Sequence, residues 1–408
     1  NVCIENCTFE DHNFQTKSSV DTLEELTPDK IRESSVVYIS SVHNETVSVI
    51  NSSFYHNKAS SLFIKDCEKD VLITGCLFSS NEITSVNNSD FNGTFSLDND
   101  IIAACIVTIL TAKEAVTIQN CCFQNNSHNS NAEGSIVNAG SIYVDTQMTF
   151  SMKNVTFYDN NINDLIMKAE LDVSVIDCQF IGLENETFVK GCAAIVDSKK
   201  TVTIQNCDTR GYASILTSFP DGTSMIMTPI QITAEDNCQL TNITVGDVAG
   251  DVMNVTSPQS VTVENCTFEA SSESPEVNSG KLGGDFFIIC HCQKLFSMDN
   301  VSIAGHDGAV CLMQSTECLV LTNSQISECR IGIVSQPEGG AIEAKTSIMI
   351  ENFTFSELKN AILCHMSYDQ IILEKVVFYH NCNLETGTDK RPIIDLKIHH
   401  SKSTELTF

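Results

Sequence analysis

The chain has no tryptophan and only seven prolines in 408 residues, and its 23 lysines and arginines face 52 acidic residues. The net charge of −29 makes a surface that repels nucleic acid phosphates and anionic lipid, so neither is expected as a partner. An acidic surface can collect calcium, but this one is read as a solvated face. No apolar run reaches the ~18 residues that a membrane helix needs; the longest, Ile101 to Leu110, is too short, so no membrane insertion is expected. No secretory signal is seen, and the chain opens inside a repeat, so it reads as a portion of something longer. There is no nucleophile elbow, phosphate loop or zinc signature. Disorder is excluded by dense, evenly spread apolar residues.

What is present is a repeat. The pattern apolar-x-apolar-x-Asn-(Cys or small)-x-Phe appears as Val2-Cys-Ile-Glu-Asn-Cys-Thr-Phe9 and Val47-Ser-Val-Ile-Asn-Ser-Ser-Phe54. Further copies begin at Val71, Val116, Phe150, Val173, Val202, Cys238, Val261, Phe296, Leu319, Ile348 and Ile371. Four of the spacings are 23 residues and one is 24, which predicts one coil each, and the longer ones add a loop. A second apolar strand precedes most copies, and Asn returns three residues past Phe54, Phe78, Phe123, Phe157 and Phe378.

Alternation such as Val-x-Ile puts both apolar side chains on one face of a strand. Asn tolerates a left-handed backbone and turns the chain into the next short strand. Asn6, Asn51, Asn120, Asn154, Asn206, Asn242, Asn265, Asn300, Asn323 and Asn352 occupy that place, so they are expected to form a structural ladder from coil to coil. Gly75 and Asp177 also suit the backbone, while Lys375 does not. Nine copies end in Phe, predicting a column of stacked rings. The fold expected is all-β, a right-handed parallel β-helix of about fourteen coils, a rod of roughly 65–75 Å at the usual strand spacing. It is read as a single domain over residues 1–408, with loop insertions near 14–35, 82–100 and 270–284 and both ends uncapped. Thr27-Pro28 in the first insertion could start a short helix. A β-propeller fits the 23-residue spacing poorly.

Gly339-Gly-Ala-Ile342, together with the five Phe-x-x-Asn copies, resembles the repeat of the polymorphic outer membrane proteins of chlamydiae and of surface proteins in some parasitic protists. The resemblance implies a right-handed β-helix displayed outside the cell, in adhesion or as a surface coat; the autotransporter barrel of that family is absent here.

Nineteen cysteines and thirteen Asn-x-Ser/Thr sequons favour an extracellular or cell-surface location. Six cysteines (Cys7, Cys76, Cys121, Cys178, Cys207, Cys266) follow the turn and are read as small buried side chains, although parallel coils bring equivalent positions within disulfide range. Seven sequons arise from the repeat, and an inward ladder would bar them from glycans. Asn44, Asn87, Asn92, Asn125, Asn185 and Asn254, placed in loops or turns, are the expected glycosylation sites. Cys290-His-Cys292, with Cys311 and Cys318 nearby, lacks proper zinc-ligand spacing, so no metal and no cofactor is expected. His306-Asp307 with Arg330, and Asp98 with Asp100, are the only hints of catalysis; both read as solvated turn or loop residues. The reading is therefore a non-catalytic structural or adhesive surface protein, binding other protein chains, self or host, with N-glycans if eukaryotic. The alternatives are a filament subunit joined end to end, and a polysaccharide lyase or glycoside hydrolase.

Overall fold

The computed structural model describes residues 2–12, 35–84, 104–129, 139–182, 189–190, 192–213, 215–218, 224–248, 250–270, 286–305, 309–314, 317–329, 331–336, 346–358, 360–364, 368–379, 394–396 and 405–407. All regular structure among them is strand. The insertions expected at 14–35, 82–100 and 270–284, with the helix start at Thr27-Pro28, lie almost wholly outside the described residues. The exceptions are Ser35, the strand Glu82–Thr84, which pairs in parallel with Ser127–Asn129, and Ala270, the last residue of a strand. The chain falls into two compact units, Asn1–Lys199 with Cys207–Ile230, and Lys200–Asn206 with Gln231–Phe408.

Each unit is a parallel β-helix of three sheets. In the first unit the alternating strands Val2–Glu5, Val47–Ile50, Val71–Thr74, Val116–Gln119, Phe150–Lys153 and Val173–Ile176 pair in that order, each first residue opposite the next. A second sheet stacks the short strands that carry Phe, from Thr8–Glu10 to Gln179–Ile181, and ends on Asp208–Arg210, where Thr209 takes the place of Phe. The third holds the longer apolar strands Val37–Val42, Leu62–Cys67, Ala104–Ala112, Ala139–Thr146, Asn163–Ala169 and Ala194–Ser198. In the second unit Val202–Gln205 to Glu405–Thr407, Thr244–Val248 to Val377–Tyr379, and Met253–Ser257 to Ile394–Leu396 repeat the arrangement. Parallel pairing between successive copies excludes a propeller; Ile215–Ser218 with Ser224–Met227 is the one antiparallel pair among the described residues.

The local cause is visible in one coil. Val47 and Val49 are buried while Ser48 and Ile50 are half-buried, as period-two alternation requires. Asn51 then takes φ 47°, and the chain bends so that Phe54 meets the same core. All ten turn asparagines lie between φ 47° and 55°, a region that costs most other residues about 1–2 kcal/mol. Phe9, Phe54, Phe78, Phe123, Phe157 and Phe180 stack in one file, with centroids 4.6–5.2 Å apart. In the second unit Val245, Phe268, Ile303, Ile326 and Phe355 fill the equivalent file.

A second file in the first unit is polar and buried. Asn57, Asn81, Asn126 and Asn160 sit three residues past a Phe. Each donates from Nδ2 to the carbonyl of a Phe one coil back (Phe9, Phe54, Phe78 and Phe123, 2.9–3.3 Å). The Oδ1 of Asn81, Asn126 and Asn160 accepts both the backbone N–H and the Nδ2 of the asparagine before it, at 2.9–3.1 Å. A bend that would otherwise bury unpaired backbone groups is thereby satisfied.

Candidate functional site

The turn between the alternating strand and the Phe strand has an outer and an inner layer. Outside, the ten asparagines of the repeat are exposed. Asn154 donates to Asn120 and Asn242 to Asn206, both at 2.9 Å; Asn300 donates to Asn265 at 2.7 Å and Asn352 to Asn323 at 2.8 Å. This ladder is external, so the bar on glycans that an inward ladder would impose does not apply; the inward asparagines are the other set, three residues past Phe. Inside, the residue after the asparagine does two jobs. Ser52 accepts the N–H of Cys7 (3.2 Å) and donates to the carbonyl of Ile50 (2.9 Å). Ser324 does the same with Val301 and Thr322, and Cys266 with Ile243 and Glu264. Serine or cysteine there supplies one donor and one acceptor to the buried backbone, while Val155, Ile243, Val301 and Phe353 hold the same place in other coils as buried apolar side chains.

In the second unit this turn forms a shallow groove of about 460 Å³. One wall is the file Asn265, Asn300, Asn323, Asn352; the other is Thr267, Ser302, Gln325, Thr354; Cys266, Val301 and Ser324 form the floor. The lining is amide and hydroxyl, without a charged side chain. Burial pushes the thiol of Cys266 up to about 11, so no thiolate nucleophile is supplied here. The groove can offer repeated hydrogen-bond donors and acceptors, one set per coil, to an uncharged polar ligand.

The first unit encloses a carboxyl group. Asp164 is fully buried and accepts hydrogen bonds from Asn160 Nδ2 (3.1 Å), Ser141 Oγ (3.4 Å) and the Tyr212 hydroxyl. Burial nevertheless pushes its carboxyl up to about 8, against the downward pull of those three donors. Tyr212 is driven well above its ordinary value, by burial first and then by Asp164. The repeat does not place these two residues directly; its one trace of them is the loss of Asn three past Phe180, where the sequence has Leu183.

Among the expected glycosylation sites, Asn44 and Asn125 are exposed, at φ 58° and 53°. Asn87, Asn92 and Asn185 lie outside the described residues. Asn254 is a correction: it belongs to the strand Met253–Ser257, not to a loop or turn, and its Oδ1 is buried without a partner. Cys290 and Cys292 both point inward, which two-residue spacing on a strand dictates. Among the described residues no group of three or more His, Cys, Asp and Glu side chains could hold a metal. His306, Asp307, Arg330, Asp98 and Asp100 lie outside the described residues. No described helix is long and apolar enough to cross a membrane.

No protein-family model and no curated protein matches the chain. Among solved structures, a structure of the PL6 family alginate lyase AlyGC is similar at 10% identity, over 93% of this chain and 77% of that one. Its TM-score is 0.18, a value too low to bear on chemistry.

Proposed function

We propose that the chain is a non-catalytic structural and adhesive protein of an extracellular or cell-surface setting, and that its long turn face receives a macromolecular partner. The observation that carries this reading is the uncharged amide and hydroxyl groove along Asn265, Asn300, Asn323 and Asn352. In a chain of net charge −29, a neutral strip is where another surface approaches without charge repulsion. Its groups are held at fixed spacing by the sheet beneath, so little conformational freedom is lost on binding. The Gly-Gly-Ala-Ile and Phe-x-x-Asn resemblance supports the same reading.

The test is binding of the immobilised full chain to intact cells and to a panel of extracellular glycoproteins, compared with Gln325→Glu and Gln325→Arg. Gln325 is exposed at the middle of the groove and belongs to no sequon, so neither change disturbs the core or glycan addition. At least tenfold weaker binding by both variants is expected. Unchanged binding by both, with unchanged circular dichroism, overturns the assignment of the groove.

A further inference from the structure

The position after the turn, buried in every coil but the first, reads Cys7, Ser52, Cys76, Cys121, Val155, Cys178, Cys207 through the successive coils of the first unit. Two neighbouring pairs in that file are both cysteine. The N–H of Cys122 donates to the carbonyl of Cys76 at 3.0 Å, and the N–H of Asp208 to that of Cys178 at 3.1 Å. The strands that follow are in register, Leu77 opposite Cys122 and Gln179 opposite Asp208. Cys76 therefore stacks on Cys121, and Cys178 on Cys207, at the ~4.8 Å separation of paired strands. That lies within the Cα range of about 4.4–6.8 Å that a disulfide spans. The thiols of Cys76 and Cys121 also interact with each other, as do those of Cys178 and Cys207.

The turn itself does not demand cysteine, because Ser52 makes both of its hydrogen bonds. Cysteine in consecutive coils adds the one thing serine lacks, a covalent bond. The pairs also bridge long excursions: Cys76 and Cys121 are 45 residues apart, and Cys178 and Cys207 are 29 apart, against 23 for a minimal coil. Longer loops cost more entropy to close, which is where a cross-link contributes most. Cys7 faces Ser52 and Cys266 faces Ile243 and Val301, so those two have no partner in the file.

We propose that Cys76–Cys121 and Cys178–Cys207 form two coil-to-coil disulfides when the chain folds in an oxidising medium. The oxidant is a small-molecule disulfide such as oxidised glutathione. One cysteine thiolate attacks it, forming a mixed disulfide and releasing one glutathione thiolate. The stacked cysteine loses its proton and displaces the second glutathione, so two electrons and two protons pass from each cysteine pair to two glutathione thiols. Burial keeps reagent from all four sulfurs once the coils are stacked, so closure belongs to folding.

The test is peptide mapping of the full chain, refolded in an oxidising glutathione buffer, then unfolded in denaturant, alkylated there without reduction, and digested. Two cross-linked species are expected, each two hydrogens lighter than the sum of its thiol peptides and each released by dithiothreitol. Reduction is expected to lower the melting temperature by several degrees. In Cys121→Ser, Cys76 should become alkylated while the Cys178–Cys207 link persists, which separates loss of a partner from loss of the fold. Alkylation of all four cysteines in the refolded wild type, or their linkage to other cysteines, overturns the proposal.

Discussion

The Tyr212 hydroxyl donates to Oδ2 of Asp164 across 48 residues of sequence, inside the first unit. Asp164 Oδ1 in turn accepts from Asn160, the last rung of the buried ladder that begins at Asn57. The ladder has a direction, each Nδ2 pointing to the next Oδ1, so it needs a terminal acceptor where the repeat stops supplying asparagine. Asp164 is that acceptor, and Tyr212 occupies its second oxygen.

Stability of the first unit should therefore fall as pH rises from about 4 to about 8. The ordinary carboxyl value is 3.8, and folded Asp164 holds its proton up to about 8. Between those values the folded state binds the extra proton, so the stabilisation is complete below the lower one and is lost as pH passes the upper one. Asp164→Asn keeps an acceptor for Asn160 and presents a donor to Tyr212. It should melt at nearly the same temperature at pH 5 and pH 8, where the wild type loses several degrees. Equal slopes for the two proteins in thermal melts would remove the ladder terminus from the argument.

The two asparagine files should respond differently to substitution. Asn81→Ala leaves the N–H and Nδ2 of Asn57 and the carbonyl of Phe54 without that partner in the interior. At about 1–3 kcal/mol for each buried group left unsatisfied, a loss of at least about 3 kcal/mol is expected in denaturant titration. Asn154→Gly removes only an exposed hydrogen bond to Asn120 and keeps the left-handed turn, so a change under about 1 kcal/mol is expected. Similar losses for both would mean that burial does not distinguish the files.

Much of this was legible from the residues. The Val-x-Ile alternation and the asparagine after it fix which side chains enter the core, so the Phe file at 4.6–5.2 Å could be read directly. The two asparagine sets could not be told apart as outer and inner, because each left-handed residue changes the parity of the strand. The turn residues Asn51 and His56 bracket Phe54, and only after the second bend does Asn57 face inward. Asn254 was misplaced for a related reason: its sequon looks like those of the loops, while its strand assignment depends on pairing with Phe286–Cys292. Asp164 occurs once, and a residue that appears once has no repeat to reveal it.

Lys375 offers a gain. It holds the turn position at φ 53°, where ten other coils place asparagine, and its Nζ pairs with Glu374 (3.3 Å) and Glu351 (3.8 Å) on an exposed surface. Exposed pairs contribute little, whereas a non-glycine, non-asparagine residue in this region costs about 1–2 kcal/mol. Lys375→Asn should raise stability by up to about 1 kcal/mol, read as an upward shift in denaturation midpoint. A lower midpoint would show that the ion pairs outweigh the backbone.

Phe78 tests the core itself. Its ring lies between those of Phe54 (4.8 Å) and Phe123 (4.6 Å) and is fully buried. Phe78→Ala removes the burial of one ring and two stacking contacts and leaves a cavity that rigid neighbouring coils cannot fill, so a loss of about 3–5 kcal/mol is expected. Ile303→Val, in the equivalent file of the second unit, deletes one methylene and should cost about 0.5–1.5 kcal/mol. In a stacked repeat each coil contacts only its neighbours, so the damage from Phe78→Ala should remain local. Hydrogen exchange should accelerate at Phe54 to Phe123 and leave Phe268 to Phe355 unchanged. Uniform acceleration through both segments would contradict nearest-neighbour packing as the source of stability.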